Sequence, residues 1–171
     1  MLIKSKKGLA AIVLSFVMAM AMAVPAFASS FDNGANQYHI RNESLSNSYL
    51  NLEGNGGVYN GRDVTVYNRL DSSDQSWLIT NTGNGSKVYN AQVDVTGNRY
   101  ALNINNGNSN CNIYRDSGSN NVDSVVDAAG NMGNFTIRLA QHSGLYYLYA
   151  YTDGSRQVKW GSTVQSWNEL A

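Results

Sequence analysis

Short apolar runs with a period of two dominate the chain beyond residue 36. Tyr49-Leu50-Asn51-Leu52, Ala101-Leu102-Asn103-Ile104 and Tyr147-Leu148-Tyr149-Ala150 share one alternating pattern. On a strand that period sends Leu50/Leu52, Leu102/Ile104 and Leu148/Ala150 to the core and turns Asn51, Asn103 and Tyr149 outward. A second run follows each of these: Val64-Thr65-Val66-Tyr67, Asn112-Ile113-Tyr114 and Val158-Lys159-Trp160. Shorter runs come before them, at Tyr38-His39-Ile40, Val88-Tyr89 and Phe135-Thr136-Ile137. Asn33-Gly34, Asn55-Gly56, Asn60-Gly61, Asn84-Gly85, Asn106-Gly107 and Asp153-Gly154 punctuate the runs. Such pairs tolerate the positive φ of tight hairpin turns. No segment after Ala28 carries a convincing helical period, so the pattern predicts an all-β fold.

The runs are also periodic over a longer range. Gln75-Ser76-Trp77 returns as Gln165-Ser166-Trp167, and between them Asp123-Ser124-Val125 reads as a decayed third copy. A regular internal period decides architecture before any local feature does. Here it predicts three units of four short strands in one domain with pseudo-threefold symmetry, with lobes at roughly 36–85, 86–131 and 132–171.

The N-terminus stands apart from this pattern. Lys4, Lys6 and Lys7 precede an apolar stretch from Leu9 to Val24, which ends in Pro25-Ala26-Phe27-Ala28-Ser29. A basic start, a short apolar segment and small residues before a cut after Ala28 describe a secretory signal peptide over residues 1–28. The expected mature chain, 29–171, is a secreted single domain. Without the three signal lysines, nine of the 12 basic residues remain against 12 acidic ones, a net charge near −3. That leaves no electrostatic footprint for nucleic acid or for an anionic membrane, and no membrane insertion is expected. Cys111 is the only cysteine, so packing rather than an internal disulfide must hold the core.

With Leu-Asn-Leu, Asn60-Gly61, Val-Thr-Val-Tyr and Asp74-Gln75-Ser76-Trp77 in this order, the first unit resembles one repeat of the ricin-type β-trefoil lectins. The resemblance extends over roughly residues 36–171 and implies a β-trefoil. It also implies that Gln75, Trp77, Gln165 and Trp167 are structural, the tryptophans packed in their lobes and the glutamines bonded to nearby backbone. For sugar binding it implies an acid on the first of the paired strands, an aromatic ending the second, and an Asn just before the Gln-x-Trp. The matching positions are Asn51, Tyr67 and Asp74 in the first lobe and Asn103, Tyr114 and Asn121 in the second. In the third they are Tyr149, Trp160 and Val164. The family's acid is absent from all three lobes, and the first lobe is the one expected to keep a pocket.

These residue types suit saccharides. Aromatic rings cover the apolar faces of sugars, and Asn, Asp and Gln supply paired donors and acceptors for hydroxyls. The expected partner is therefore a glycan or polysaccharide, bound without cofactor or metal. Enzymatic constellations are not evident. His39 and His142 lack metal-ligand spacing to each other or to Cys111, and no nucleophile elbow, phosphate loop or dinucleotide fingerprint occurs. Asp71 and Asp74 could be imagined as a hydrolytic pair, but in a polar loop they are expected to be solvated. A non-catalytic binding protein is the expectation. The alternative is a protein-interaction, inhibitor or toxin-associated trefoil with a degraded sugar site, using the row Tyr147, Tyr149 and Tyr151 as a contact face.

Overall fold

The structure, a computed structural model, describes residues 34–83, 85–118 and 121–170. The expected signal peptide lies outside these residues. Twelve strands follow in order: β1 His39–Asn42, β2 Tyr49–Leu52, β3 Arg62–Tyr67, β4 Trp77–Asn81, β5 Ser86–Val93, β6 Arg99–Ile104, β7 Cys111–Arg115, β8 Val126–Asn131, β9 Asn134–Leu139, β10 Tyr147–Ala150, β11 Val158–Gly161 and β12 Trp167–Leu170. Among the described residues the one helical element is a 3-10 turn at Ser73–Gln75.

Six of the strands close a barrel. β1 pairs with β12, β12 with β9, β9 with β8, β8 with β5 and β5 with β4, all antiparallel. The ring is completed between Tyr38 and Trp77, whose backbone N–H groups each donate to the other's carbonyl at 2.9 Å. The other six strands form the hairpins β2–β3, β6–β7 and β10–β11. These hairpins are tied to one another by β3–β7 pairing and by bridges at Thr65–Gln157 and Asn110–Lys159. A six-stranded barrel capped by a triangle of three hairpins is the β-trefoil.

Alternation fills this frame as the period of two requires. Leu50, Leu52, Leu102, Ile104, Leu148 and Ala150 are all buried, and they join one continuous core with Ile40, Val88, Phe135 and Ile137 from the barrel strands. Register aligns the lobes. Leu50 faces Val66, Leu102 faces Ile113, and Leu148 faces Trp160. Glycine is needed at the sharp corner from β4 into β5. Gly85 has φ 127°, and a Cβ there would stand 2.9 Å from the Val126 carbonyl oxygen.

The two Gln-Ser-Trp copies carry the same bond. The indole N–H of Trp77 donates to the Leu50 carbonyl at 3.0 Å, and that of Trp167 to the Leu148 carbonyl at 3.1 Å. Both rings are fully buried. In the second lobe the buried Val125 stands at that place, and Asp123 supplies the link to the hairpin through its carbonyl, which accepts from Ile104 N at 3.0 Å. The two glutamines differ in detail. Gln75 accepts from Leu70 N and donates to the Asn68 carbonyl, which pins the loop after β3. Gln165 accepts from Ala150 N and Asn42 Nδ2 and donates to the Ala150 carbonyl, which pins the end of β10.

Candidate functional site

A cleft of about 480 Å³ opens on the first lobe. β2 contributes Asn51, β3 contributes Thr65 and Tyr67, and the 3-10 turn contributes Asp74. The loop from Glu53 to Asn55 forms one wall, and Ser155 and Arg156 reach in from the third lobe. Asn51, Tyr67 and Asp74 therefore meet in one place.

The cleft is built on a buried arginine that the sequence reading passed over. Arg62 opens β3 and is only 2 % exposed. Its guanidinium donates to the carbonyls of Glu53 (3.0 Å), Gly54 (2.7 Å), Gly56 (2.6 Å) and Gly57 (3.1 Å). It also pairs with Asp74 Oδ1 at 3.1 Å. A buried cation persists where every donor is satisfied and a counter-charge is close, and both conditions hold here. Asp74 is thus not the solvated loop carboxylate expected from sequence. Its Oδ1 also accepts from Gln92 Nε2 at 3.0 Å. Arg62 shares the inward register of Val64 and Val66, and a charge at an inward position was the available signal.

Asn51 and Asn103 face away from the core, but they are buried rather than exposed, at 8 % and 7 %. Each folds its amide back on its own strand, Asn51 Nδ2 donating to the Leu52 carbonyl and Asn103 Nδ2 to the Ile104 carbonyl. Their remaining valences differ. Asn103 Nδ2 also donates to Asn112 Oδ1 at 3.0 Å, and its Oδ1 accepts from Ser124 Oγ at 3.0 Å. Asn51 Oδ1 accepts no hydrogen bond from the described residues, which leaves it for the cleft. The second-lobe amide is saturated, whereas the first-lobe amide is open.

Tyr67 is 37 % exposed and Tyr114 is 43 % exposed, at matching ends of β3 and β7. The Tyr67 ring is not bare, because the Arg156 guanidinium carbon lies 4.4 Å from its centroid. In the third lobe the resemblance misplaces the aromatic. Trp160 occupies the core position of Val66 and Ile113, is 2 % exposed, and donates its indole N–H to the Asn103 carbonyl at 3.2 Å. Gly161 holds the place of Tyr67, and the Tyr149 ring lies across it. Tyr149 meets Tyr151 edge to face at 5.6 Å, and Lys159 Nζ lies 5.5 Å from the Tyr151 centroid. Burial, then hydrogen bonding with Tyr151, pushes the Tyr149 phenol up. Asn103, Tyr114 and Tyr149 stand apart from the first-lobe cleft.

A second buried charge, also missed from sequence, lies in the second lobe. Lys87 Nζ and the Tyr89 hydroxyl donate to the two oxygens of Asp116, each at 2.5 Å. Burial pushes Asp116 upward, but bonds from Lys87, Tyr89 and Gly118 N outweigh it and its net shift is downward. Cys111 is fully buried and burial pushes its thiol up, away from the reactive thiolate. Among the described residues no helix is long and apolar enough to cross a membrane.

No protein-family profile matches the chain, and no curated protein matches it. Solved structures do. A chain of a mosquitocidal holotoxin matches with a TM-score of 0.63 at 22 % identity, over 78 % of this chain and 17 % of that one. ThreeFoil, a designed threefold-symmetric protein, matches with a TM-score of 0.61 at 20 % identity, over 79 % of this chain and 98 % of that one. A Polyporus squamosus lectin bound to Neu5Acα2-6Galβ1-4GlcNAc matches with a TM-score of 0.60 at 18 % identity, over 80 % of this chain and 49 % of that one. The present chain thus spans about a sixth of the toxin chain and half of the lectin chain. The likeness is one of fold, and the fold is that of β-trefoil lectins.

Proposed function

We propose that the mature chain is a secreted, non-catalytic carbohydrate-binding protein whose site is the first-lobe cleft. One observation carries the reading: an amide oxygen that no described residue bonds, a part-exposed carboxylate and a phenol ring converge there, whereas Asn103 is saturated in the second lobe and Gly161 stands in place of the ring in the third. Asn51 Oδ1 and Asp74 would take sugar hydroxyls, and Tyr67 would cover an apolar sugar face. A shallow site with few hydrogen bonds implies a Kd from high micromolar to millimolar, about −4 to −6 kcal/mol.

A glycan array followed by calorimetric titration of the mature protein tests this. Binding is expected in chelator as in buffer, because the contacts are a ring and an amide and the Asp74 carboxylate is already paired with Arg62, and Tyr67→Ala should abolish it while the fold persists. A silent array, or a Tyr67→Ala variant that binds as the parent does, would favour a second reading. That reading is a protein-interaction trefoil working through the Tyr149, Tyr151 and Lys159 face, where two rings and a cation are already assembled.

A further inference from the structure

The first-lobe cleft holds two cations, and only one of them has a partner carboxylate. Arg62 is paired with Asp74 and saturated by backbone carbonyls. Arg156 is exposed, and its side chain makes no ion pair or hydrogen bond with any described residue. What it does make is the contact over the Tyr67 ring, which uses none of its five N–H donors.

The backbone at Arg156 is unusual too. Its φ is 61°, in the left-handed region that a bulky side chain adopts at a cost. The conformation is held from both sides. The Arg156 carbonyl accepts from Val66 N at 2.9 Å, and the preceding turn is closed by Ser155 N donating to Asp153 Oδ1 at 2.9 Å. Glycine or asparagine would suit that backbone better, and no packing of the exposed side chain calls for arginine. What arginine adds is an unpaired guanidinium that lines the cleft and lies over the ring.

We propose that the cleft takes an acidic saccharide, a sugar bearing a carboxylate, with Arg156 as the residue that determines this specificity. The proposal rests on the carbohydrate reading of the same site. A planar guanidinium fork matches a carboxylate through two parallel hydrogen bonds, and its contact with Tyr67 limits the side-chain freedom lost on binding. Asp74 is already compensated by Arg62, so its charge opposes such a ligand less than a free carboxylate would. Glu53 is exposed and also lines the cleft, so the ligand's acid must seat on the Arg156 guanidinium rather than beside that carboxylate.

Matched sugars differing only in the acid test the proposal: galactose against galacturonate, glucose against glucuronate, and lactose against sialyllactose. The acid members should bind the mature protein about tenfold or more tightly at low salt, and the advantage should shrink as salt rises. In Arg156→Gln and Arg156→Gly the ratio of acid to neutral affinity should fall to about one, and melting curves should confirm that both variants are folded. Equal affinity within each pair, or a ratio unchanged in Arg156→Gln, overturns the inference while leaving the carbohydrate reading intact. Sulfated sugars binding more tightly than carboxylated ones, or acetate alone binding as tightly as the uronates, also overturn it. If no sugar of either kind binds, the carbohydrate reading falls and this inference falls with it.

Discussion

Arg62 and Tyr67 lie on one strand and do opposite things. Arg62 is buried and holds the cleft together, because four loop carbonyls and one carboxylate depend on its donors. Arg62→Ala would leave those acceptors without partners and Asp74 without its cation, so we expect a loss of about 3 kcal/mol in chemical denaturation. Arg62→Lys should not restore it, since one ammonium cannot reach a fan of acceptors that a planar fork satisfies. Tyr67 stands at the strand end, while Val64 and Val66 carry the core face beneath it. Tyr67→Ala should therefore stay within about 1 kcal/mol of the parent in stability while losing saccharide binding. A variant that loses both together would make Tyr67 a packing residue.

At the scale of elements, each lobe hangs on the link from its fourth strand to its hairpin. Trp77 is fully buried and bonded to the Leu50 carbonyl, so Trp77→Ala should cost about 3 to 5 kcal/mol by denaturant titration. The strands and this tripeptide were legible because they are local: alternation of two, Asn-Gly turns and a repeated motif. What stayed hidden needs the chain folded. Whether Asn51 is open and Asn103 closed depends on Ser124 Oγ, 21 positions from Asn103. Arg156 reaches the first-lobe ring from the third lobe, and Trp160 is a core residue because register places it opposite Leu148. The charged element of the second lobe gives a pH prediction. Asp116 is held below its ordinary value in the folded state, so its contribution to stability is present above that value and is lost as pH falls through the lower folded one. Unfolding curves below about pH 4 should show Asp116→Asn losing less stability on acidification than the parent. Identical acid limbs would mean that Lys87 and Tyr89 do not hold the ionised form.

For the whole molecule, three lobes do not mean three sites. The frame is threefold, with one closed barrel and three hairpins, but the chemistry on it is not. In the second lobe Ser124 and Asn112 consume Asn103, and in the third Gly161 replaces the strand-end ring. A chain that kept three working lobes would gain avidity for clustered glycans, because linked sites convert later contacts into intramolecular ones. With one open lobe the protein should behave as a monovalent binder. Titration calorimetry should give a stoichiometry near one saccharide per chain, and a monomeric preparation should not cross-link glycan-coated beads. The saturation argument also predicts that Ser124→Ala, by freeing Asn103 Oδ1, moves the second lobe toward the first without disturbing it. Binding at the first lobe should keep its affinity in that variant. A stoichiometry of two or three in the parent protein would show that bound saccharide can break the Ser124–Asn103 bond, and the distinction between open and closed lobes would fail.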